Sequence, residues 1–333
     1  MRLRTRGLFS IKRLRRVVAD RLHGTPFDRT LALAARTGQR DFVFGWNRGL
    51  GDIALGLVPL FARIRARCAG SRIVVVTRPD LAEMAALAAI DDVVIVEGLT
   101  RDDPLDPLSV ALARGLTFRG EPVVFANADP TRWLDGQRAR FPPRLVWKPA
   151  FNALARRFAV PGEGRIIIGA HVNSETAQYY GYVKDWPAAS WHELIARFPA
   201  ERGVHWILFG NSPTPPFDFA NVTDLRGQTT LLELLALART RCRVLLAPDS
   251  GILTAVYYLD GVQPLEVISL WSDPRQGILK QGCASPNPAL HHQALIGADD
   301  DVRNLHVADV EVVLAAALVK AARQPAPEAA HAV

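Results

Sequence analysis

The sequence predicts an α/β protein of two doubly wound domains whose parallel sheets face a central cleft. Three observations lead there. At 333 residues the chain is too long for one comfortable core and about right for two domains of ordinary size. Beyond residue 40, short apolar runs of strand character alternate with longer helical stretches, the pattern of stacked βα units. Between two such series, Pro142, Pro143, Pro149, Pro161, Gly162 and Gly164 punctuate a stretch poor in strand signals.

Taken in order, residues 1–40 form a basic N-terminal segment. Arg2, Arg4, Arg6, Lys12, Arg13, Arg15, Arg16 and Arg21 are interleaved there with Leu3, Leu8, Phe9, Ile11, Leu14, Val17 and Val18. Residues 1–21 can thus form a basic amphipathic helix on an anionic membrane face, or a solvated, frayed extension; the pattern leaves both open. Strands are predicted at 41–46, 72–77, 92–96 and 122–126, with helices at 53–68 and 81–89, and together they make a first domain over 41–155. A linker is placed near 150–164. The second domain, 165–324, has strands at 165–171, 204–210, 244–248 and 265–271. Helices at 189–198, 231–239 and 252–259 follow every strand but the last, and a final helix covers 307–322. Residues 325–333 are Pro/Ala-rich and read as a disordered tail.

Composition narrows the function classes. With 49% hydrophobic and 22% charged residues this is a globular chain, which excludes disordered and collagen-like classes. Cys68, Cys242 and Cys283 have no CxxC spacing, so neither a zinc site nor a disulfide framework is expected, and a reducing compartment fits. The N-terminus lacks the apolar run of a secretory signal and no run approaches a membrane span, which predicts a cytoplasmic protein. The formal charge of +7 favours an anionic partner without choosing among nucleic acid, lipid surface and phosphorylated substrate.

Three turns carry residues suited to chemistry. Asn47-Arg48-Gly49-Leu50-Gly51-Asp52 joins the first strand to a helix predicted to open at Ile53, and its glycines let backbone approach a ligand. Asp is also a preferred helix cap, and from spacing alone capping explains Asp52 better than catalysis does. The GxGxxG fingerprint is broken, which argues against a dinucleotide. The second turn, Val183-Lys184-Asp185-Trp186-Pro187, follows His171-Val172-Asn173-Ser174 at a strand end. Lys184 reads equally as a point charge on a phosphate and as a surface lysine, while Trp186 and Trp191 read as packing residues. In the third, Pro248-Asp249-Ser250-Gly251, a strand runs into a helix. One polar side chain suffices for a cap, and Asp, Ser and Gly together lean toward an anion site.

From about residue 41 to about 275 the sequence resembles the bacterial heptosyltransferase-like glycosyltransferases of family 9. That family opens with a strand, Arg-x-x-Gly-Asp and a helix with a Leu-Pro pair; here stand Arg48-Gly49-Leu50-Gly51-Asp52 and Val58-Pro59-Leu60. Its Lys-x-Trp-Pro is matched by Lys184-Asp185-Trp186-Pro187. Its Gly-x-Thr/Ser-Leu-x-Glu-Leu helix start is matched by Gly227-Gln228-Thr229-Thr230-Leu231-Leu232-Glu233-Leu234. Its Asp-Ser/Thr-Gly-x-x-His turn is matched through Asp249-Ser250-Gly251, with Thr254 at the histidine position.

The resemblance implies a GT-B fold: two Rossmann-like domains, the first for an acceptor and the second for a nucleotide-sugar. It implies an inverting glycosyltransferase with Asp52 as general base and Arg48, Gly49 and Gly51 lining the acceptor side. Asn173, Ser174, Lys184, Asp249, Ser250, Gly251 and Thr254 would face the donor diphosphate. No metal or other cofactor is implied, and the acidic groups Asp91-Asp92, Asp102-Asp103 and 299–301 read as solvated loops. The donor by family default is an ADP-linked heptose and the acceptor an anionic glycan or lipid-linked lipopolysaccharide core, with peripheral contact to the inner face of the cell membrane through residues 1–21 and no nucleic acid partner. Thr254 and the insert 176–183, with Tyr179, Tyr180 and Tyr182, depart from the family and bear on the identity of the sugar; Thr254 also motivates the alternative of a member that binds without turnover.

Overall fold

The computed structural model describes residues 18–20, 22–134, 140–161, 164–174 and 183–324. The basic residues up to Arg16 with Arg21, the three tyrosines of the insert and the tail 325–333 lie outside the described residues. By contacts the chain forms two compact units, each with its own parallel sheet.

The first unit gathers the described residues up to Asn47 with Pro59–Pro79 and Ile90–Phe141. Helix α1 (Pro26–Thr37) opens on a capping box between Thr25 and Asp28 and stops at Gly38, whose φ of 77° suits a residue without a β-carbon. Strand β1 (Asp41–Trp46) follows. Next comes α2, made of Leu50–Asp52, a π-helical segment Ile53–Leu57 and Val58–Arg67. Then come β2 (Arg72–Thr77), α3 (Ala82–Leu87), β3 (Asp92–Ile95), α4 (Pro107–Ala113) and β4 (Val123–Phe125); α3 and the start of α2 up to Val58 are counted with the second unit. The strands lie in the order β3-β2-β1-β4, all parallel. Alternate residues supply the two faces. Val43, Val74, Val76 and Val94 meet Ala111 of α4 on one side, while Phe44 stacks on Phe125 and meets Phe61 edge-on, with Phe27 and Trp133 completing the aromatic cluster. Burial on both faces is why β1 and β2 read as unbroken apolar runs, while β3 and β4 leave Val93, Ile95 and Val124 exposed on one face. Arg63 is buried beside this cluster because it is fully engaged: it pairs with Asp28, donates to the Trp133 carbonyl and lies 4.9 Å over the Phe27 ring.

The second unit takes in Arg48–Val58, Asp80–Ala89 and the chain from Pro142 on. Its strands are β5 (Ile166–His171), β6 (Val204–Phe209), β7 (Val222–Asp224), β8 (Val244–Pro248), β9 (Leu265–Trp271) and β10 (Leu290–Ile296), all parallel in the order β10-β9-β8-β5-β6-β7. The helices are α5 (Ala188–Ala196), α6 (Leu231–Thr240), α7 (Gly251–Tyr258), α8 (Gly277–Gln281) and α9 (Val307–Arg323). α5 and α9 close one face over Ile168, Ala170 and Trp206. Trp186 and Trp191 are packing residues as expected, edge-to-face at 5.1 Å, with the Trp186 indole donating to the Leu305 carbonyl.

Two strands escape the sequence reading. β7 is only three residues long and half-buried, and β10 reads Leu-His-His-Gln-Ala-Leu-Ile along a partly exposed sheet edge, so neither shows a continuous apolar run. β9 is therefore followed by α8 and then β10, where no helix was expected. The Pro-rich stretch placed as a linker contains a 3₁₀ helix, Pro149–Arg157; its Ala155 is buried and its Arg157 pairs with Glu233 of α6.

One buried group ties this sheet to pH. Burial lowers the His171 imidazole to about 4, far below its ordinary value. The unfolded chain takes up a proton near pH 6.5 that the folded chain refuses until about pH 4, so stability is full above 6.5 and is lost as pH falls through that window. The expected loss is about 3 kcal/mol by pH 4, read as the pH dependence of urea unfolding, and His171→Gln should flatten it.

Candidate functional site

In the second unit the chain winds outward from β5 through β6 and β7 on one side. It then crosses back and winds outward from β8 through β9 and β10 on the other. The reversal falls between β5 and β8, neighbours in register from Ile168↔Val244 to Ala170↔Leu246. Ligands of open parallel sheets bind outside the carboxyl ends of the strands at such a reversal. Here those ends are occupied by Asn173 and Ser174 after β5, and by Asp249, Ser250 and Gly251 after β8.

Ser250 is the N-cap of α7. Its hydroxyl accepts from Leu253 N at 3.1 Å, which satisfies one of the helix's open amides. Thr254, four residues on, is buried and donates its own hydroxyl back to the Ser250 carbonyl at 3.0 Å. Against this turn lies the start of α2. Helix α2 begins at Leu50, three residues before the predicted start, so Asp52 is not the cap; Gly49 is, with no side-chain hydrogen bond to cap it. Asp52 occupies the third helical position, exposed, with its carboxylate turned back over Gly49. A carboxylate there is favoured by the helix dipole.

Glycines make the approach of the two turns possible. A β-carbon on Gly251 would stand 3.1 Å from Gly51 N and 2.7 Å from Leu50 Cδ2, and one on Gly51 would stand 3.3 Å from Gly251 Cα and 3.4 Å from Thr254 Oγ1. Gly251→Ala is therefore expected to lower the unfolding free energy by about 1–3 kcal/mol, measured by urea denaturation, because backbone must yield. Just beyond Asp52 the helix widens into its π turn, closed by Val58 N donating to the Ile53 carbonyl. Pro59 offers no N–H to the carbonyl four residues back, that of Leu55, and Gln281 Nε2 donates to it instead at 3.2 Å.

Lys184 crosses to the β8 turn. Its Nζ lies 2.6 Å from Asp249 Oδ2, with side-chain exposures of only 16% and 10%. The main chain on either side of Lys184 is pinned. Ser272 donates its hydroxyl to the Val183 carbonyl and accepts from Val302 N at 2.9 Å, and Asp185 accepts from Ser174 N at 3.0 Å. Burial pushes the Asp185 carboxyl above the usual range, opposed by the Ser174 N–H and the Lys184 charge. Asp249 is held as well: its N–H donates to the Leu270 carbonyl, and its second oxygen stands 2.5 Å from where a β-carbon on Gly277 would be.

Of the remaining predicted residues, Asn173 spends its side chain on the loop after β6, donating to the Ser212 carbonyl and accepting from Asn211 N. Ser174 is buried, and its hydroxyl has no partner among the described residues. Thr230 and Glu233 form a capping box at the start of α6, so that motif builds a helix end. Arg48 is exposed beside Gly49 and Gly51. Among the described residues no group of three or more His, Cys, Asp and Glu is arranged to hold a metal ion. The acidic loops have local partners: Asp91 and Asp92 pair with Arg65 and Arg72, and Asp301 with Arg303.

No protein-family model matches the chain, and no curated protein matches it in sequence. Solved structures do. The glycosyl transferase family 9 structure from Veillonella parvula covers 84% of this chain and 97% of its own, with a TM-score of 0.56 at 15% identity. ADP-heptose LPS heptosyltransferase II of E. coli covers 85% and 99%, with a TM-score of 0.58 at 15% identity. The chain has the GT-B fold.

Within this GT-B chain the sequence reading missed Asp185, Ser272, Gly277, Gln281 and Glu83, the last of which accepts from Leu232 N at the start of α6. Asp185 had one available signal, its place beside Lys184. The others act across 28 to 226 positions, where no local pattern points to them.

Proposed function

We propose that this chain is an inverting glycosyltransferase that moves a sugar from a nucleoside-diphosphate donor to a glycan acceptor. The observation that carries the reading is the Lys184–Asp249 pair at the β5/β8 reversal, with the first turn of α2, bearing Asp52, packed on the α7 turn in the same unit. Departure of a nucleoside diphosphate builds negative charge on its β-phosphate, and an ammonium with fixed helix amides stabilises that charge as it develops. Lys184 supplies the ammonium, and the α7 turn at Ser250 and Gly251 the amides. Asp52 takes the proton from the acceptor hydroxyl as it attacks. A single displacement inverts the anomeric centre. Ser174, buried and with no partner for its hydroxyl among the described residues, is the further group available to a donor oxygen, and Asn173 shapes the site through the loop it holds.

The likeness in fold to an ADP-heptose transferase supports an ADP-linked heptose as donor and a lipopolysaccharide-type acceptor. Residues 41–155 would then serve the acceptor and 165–324 the donor. The reading places the enzyme in the cytoplasm, touching the inner membrane face through residues 1–21. Among the described residues no helix is long and apolar enough to cross a membrane. A chain starting at residue 22 is expected to lose binding to anionic liposomes in co-sedimentation; it must keep α1, whose Phe27 and Ala34 are core residues. Equal binding by both chains removes the membrane contact.

The test is a panel of ADP-, UDP- and GDP-sugars assayed for transfer and hydrolysis, with the anomeric configuration of the product read by NMR. Because a lysine takes the place of a cation at the leaving group, EDTA is expected to leave turnover unchanged. Thr254, its hydroxyl spent on the Ser250 carbonyl, favours a second reading, a member that binds nucleotide or glycan without turnover. Binding without transfer or hydrolysis across the whole panel would select that second reading.

A further inference from the structure

We infer that Asp249 is a resident counter-ion of Lys184 that competes with the donor's diphosphate, weakening the hold on the nucleoside diphosphate product so that it leaves. The inference rests on the proposed donor site. Its grounds are the geometry of one pair. The ammonium is bound to a carboxylate at 2.6 Å, both side chains are largely buried, and the main chain is held at both residues. The main chain at Lys184 is held, because Ser272 and Asp185 pin the residues on either side, so that only its side chain can turn between Asp249 and a diphosphate. Asp249 cannot drift, because its amide is tied to β9 and its carboxylate fills the space left by Gly277, whose φ of +50° disfavours any larger residue.

A diphosphate arriving at Lys184 meets a cation already neutralised, next to an anion of its own sign. Binding must therefore break the ion pair, and the bound diphosphate is repelled by a carboxylate a few ångströms away in a partly desolvated site. While the reaction runs, the transition state holds more negative charge at the leaving oxygen than the substrate does and draws the ammonium harder. Once the product starts to leave, Asp249 recaptures Lys184 and resets the site. An anion placed so costs ground-state affinity and speeds turnover, which is the direction a transferase with a tightly held product needs.

Titration calorimetry with inorganic pyrophosphate and with ADP, UDP and GDP tests this on wild type and Asp249→Asn. Asp249→Asn is expected to bind pyrophosphate and the preferred nucleoside diphosphate roughly tenfold more tightly, with the gap narrowing as salt is raised, and to turn over more slowly with a burst of first product. Unchanged or weaker pyrophosphate binding overturns the inference, and weaker binding confined to the nucleotide-sugar makes Asp249 a ligand of the sugar instead. Should the variant fold poorly by thermal melt, a crystal structure of the wild type with ADP decides: the Lys184–Asp249 distance must lengthen beyond about 4 Å, and a pair still closed overturns the idea. The donor-site reading fails separately, if wild type and Asp249→Asn both bind none of these diphosphates, and the inference falls with it.

Discussion

Asp52→Ala is expected to lower kcat by about 10²–10⁴-fold while leaving nucleoside diphosphate affinity within about twofold of wild type. The size of the effect follows from the role. A general base contributes only while a proton is moving, so its loss falls on kcat and spares the ground-state grip on a diphosphate held by Lys184 and the α7 turn. Its position suits either role: Gly49 is the N-cap, and Asp52 sits three residues into the helix, exposed, with its carboxylate turned back over Gly49 and beside the turn that packs against Gly251. A carboxylate in a first turn also supports its helix by about 0.3–1 kcal/mol, so a small drop in melting temperature is expected from either role. Single-turnover kinetics separate them. Loss of stability with kcat intact returns Asp52 to a merely structural role, and a rise in KM with kcat unchanged makes it an acceptor-binding group.

The legibility of this chain follows its physics. β1, β2, β8 and β9 were readable to the residue because their Val, Ile, Leu and Phe runs are buried on both faces and end at polar or glycine turns. β7 and β10 lie at the outer edges of their sheet, where one side is open to solvent, and polar residues such as His291 and Gln293 hide the strand. The start of α2 was misplaced because Gly49 and Gly51 look like a turn when read locally. The helical turn Leu50–Asp52 packs against Gly251, a partner 200 positions away that no local pattern shows. The site divides in the same way. A cap at Asp249 or Ser250 was legible from residue type and neighbours, and the fold assigns it to Ser250. Lys184 and Asp249 were each visible as candidate phosphate contacts, but their pairing, 65 residues apart, has no sequence signature, and it alters the meaning of Asp249 from a contact to a competitor.

Lys184→Ala carries the second largest expected effect, a fall in kcat/KM of about 10²–10³-fold, because it removes the ammonium placed at the leaving group in this reading. It should also destabilise the protein by about 1–3 kcal/mol: Asp249, only 10% exposed, is left with an uncompensated charge. Those two losses come apart in a double variant. Lys184→Ala/Asp249→Asn removes both charges, so its urea midpoint should return toward that of wild type while activity stays at the Lys184→Ala level. A purely structural lysine would recover both, and a lysine acting only on the diphosphate, with no debt to Asp249, would recover neither. Lys184→Arg adds a third point. Arginine keeps the charge, yet its planar fork is larger than the ammonium it replaces, and Ser272 and Asp185 hold the main chain where it is. The fork can still pair with Asp249, whose carboxylate is backed by Gly277, but cannot place its charge where the ammonium stood, so stability should be largely retained and turnover should stay well below wild type. Rates, unfolding midpoints and pyrophosphate affinities of the four proteins, read together, separate charge from geometry at the leaving group.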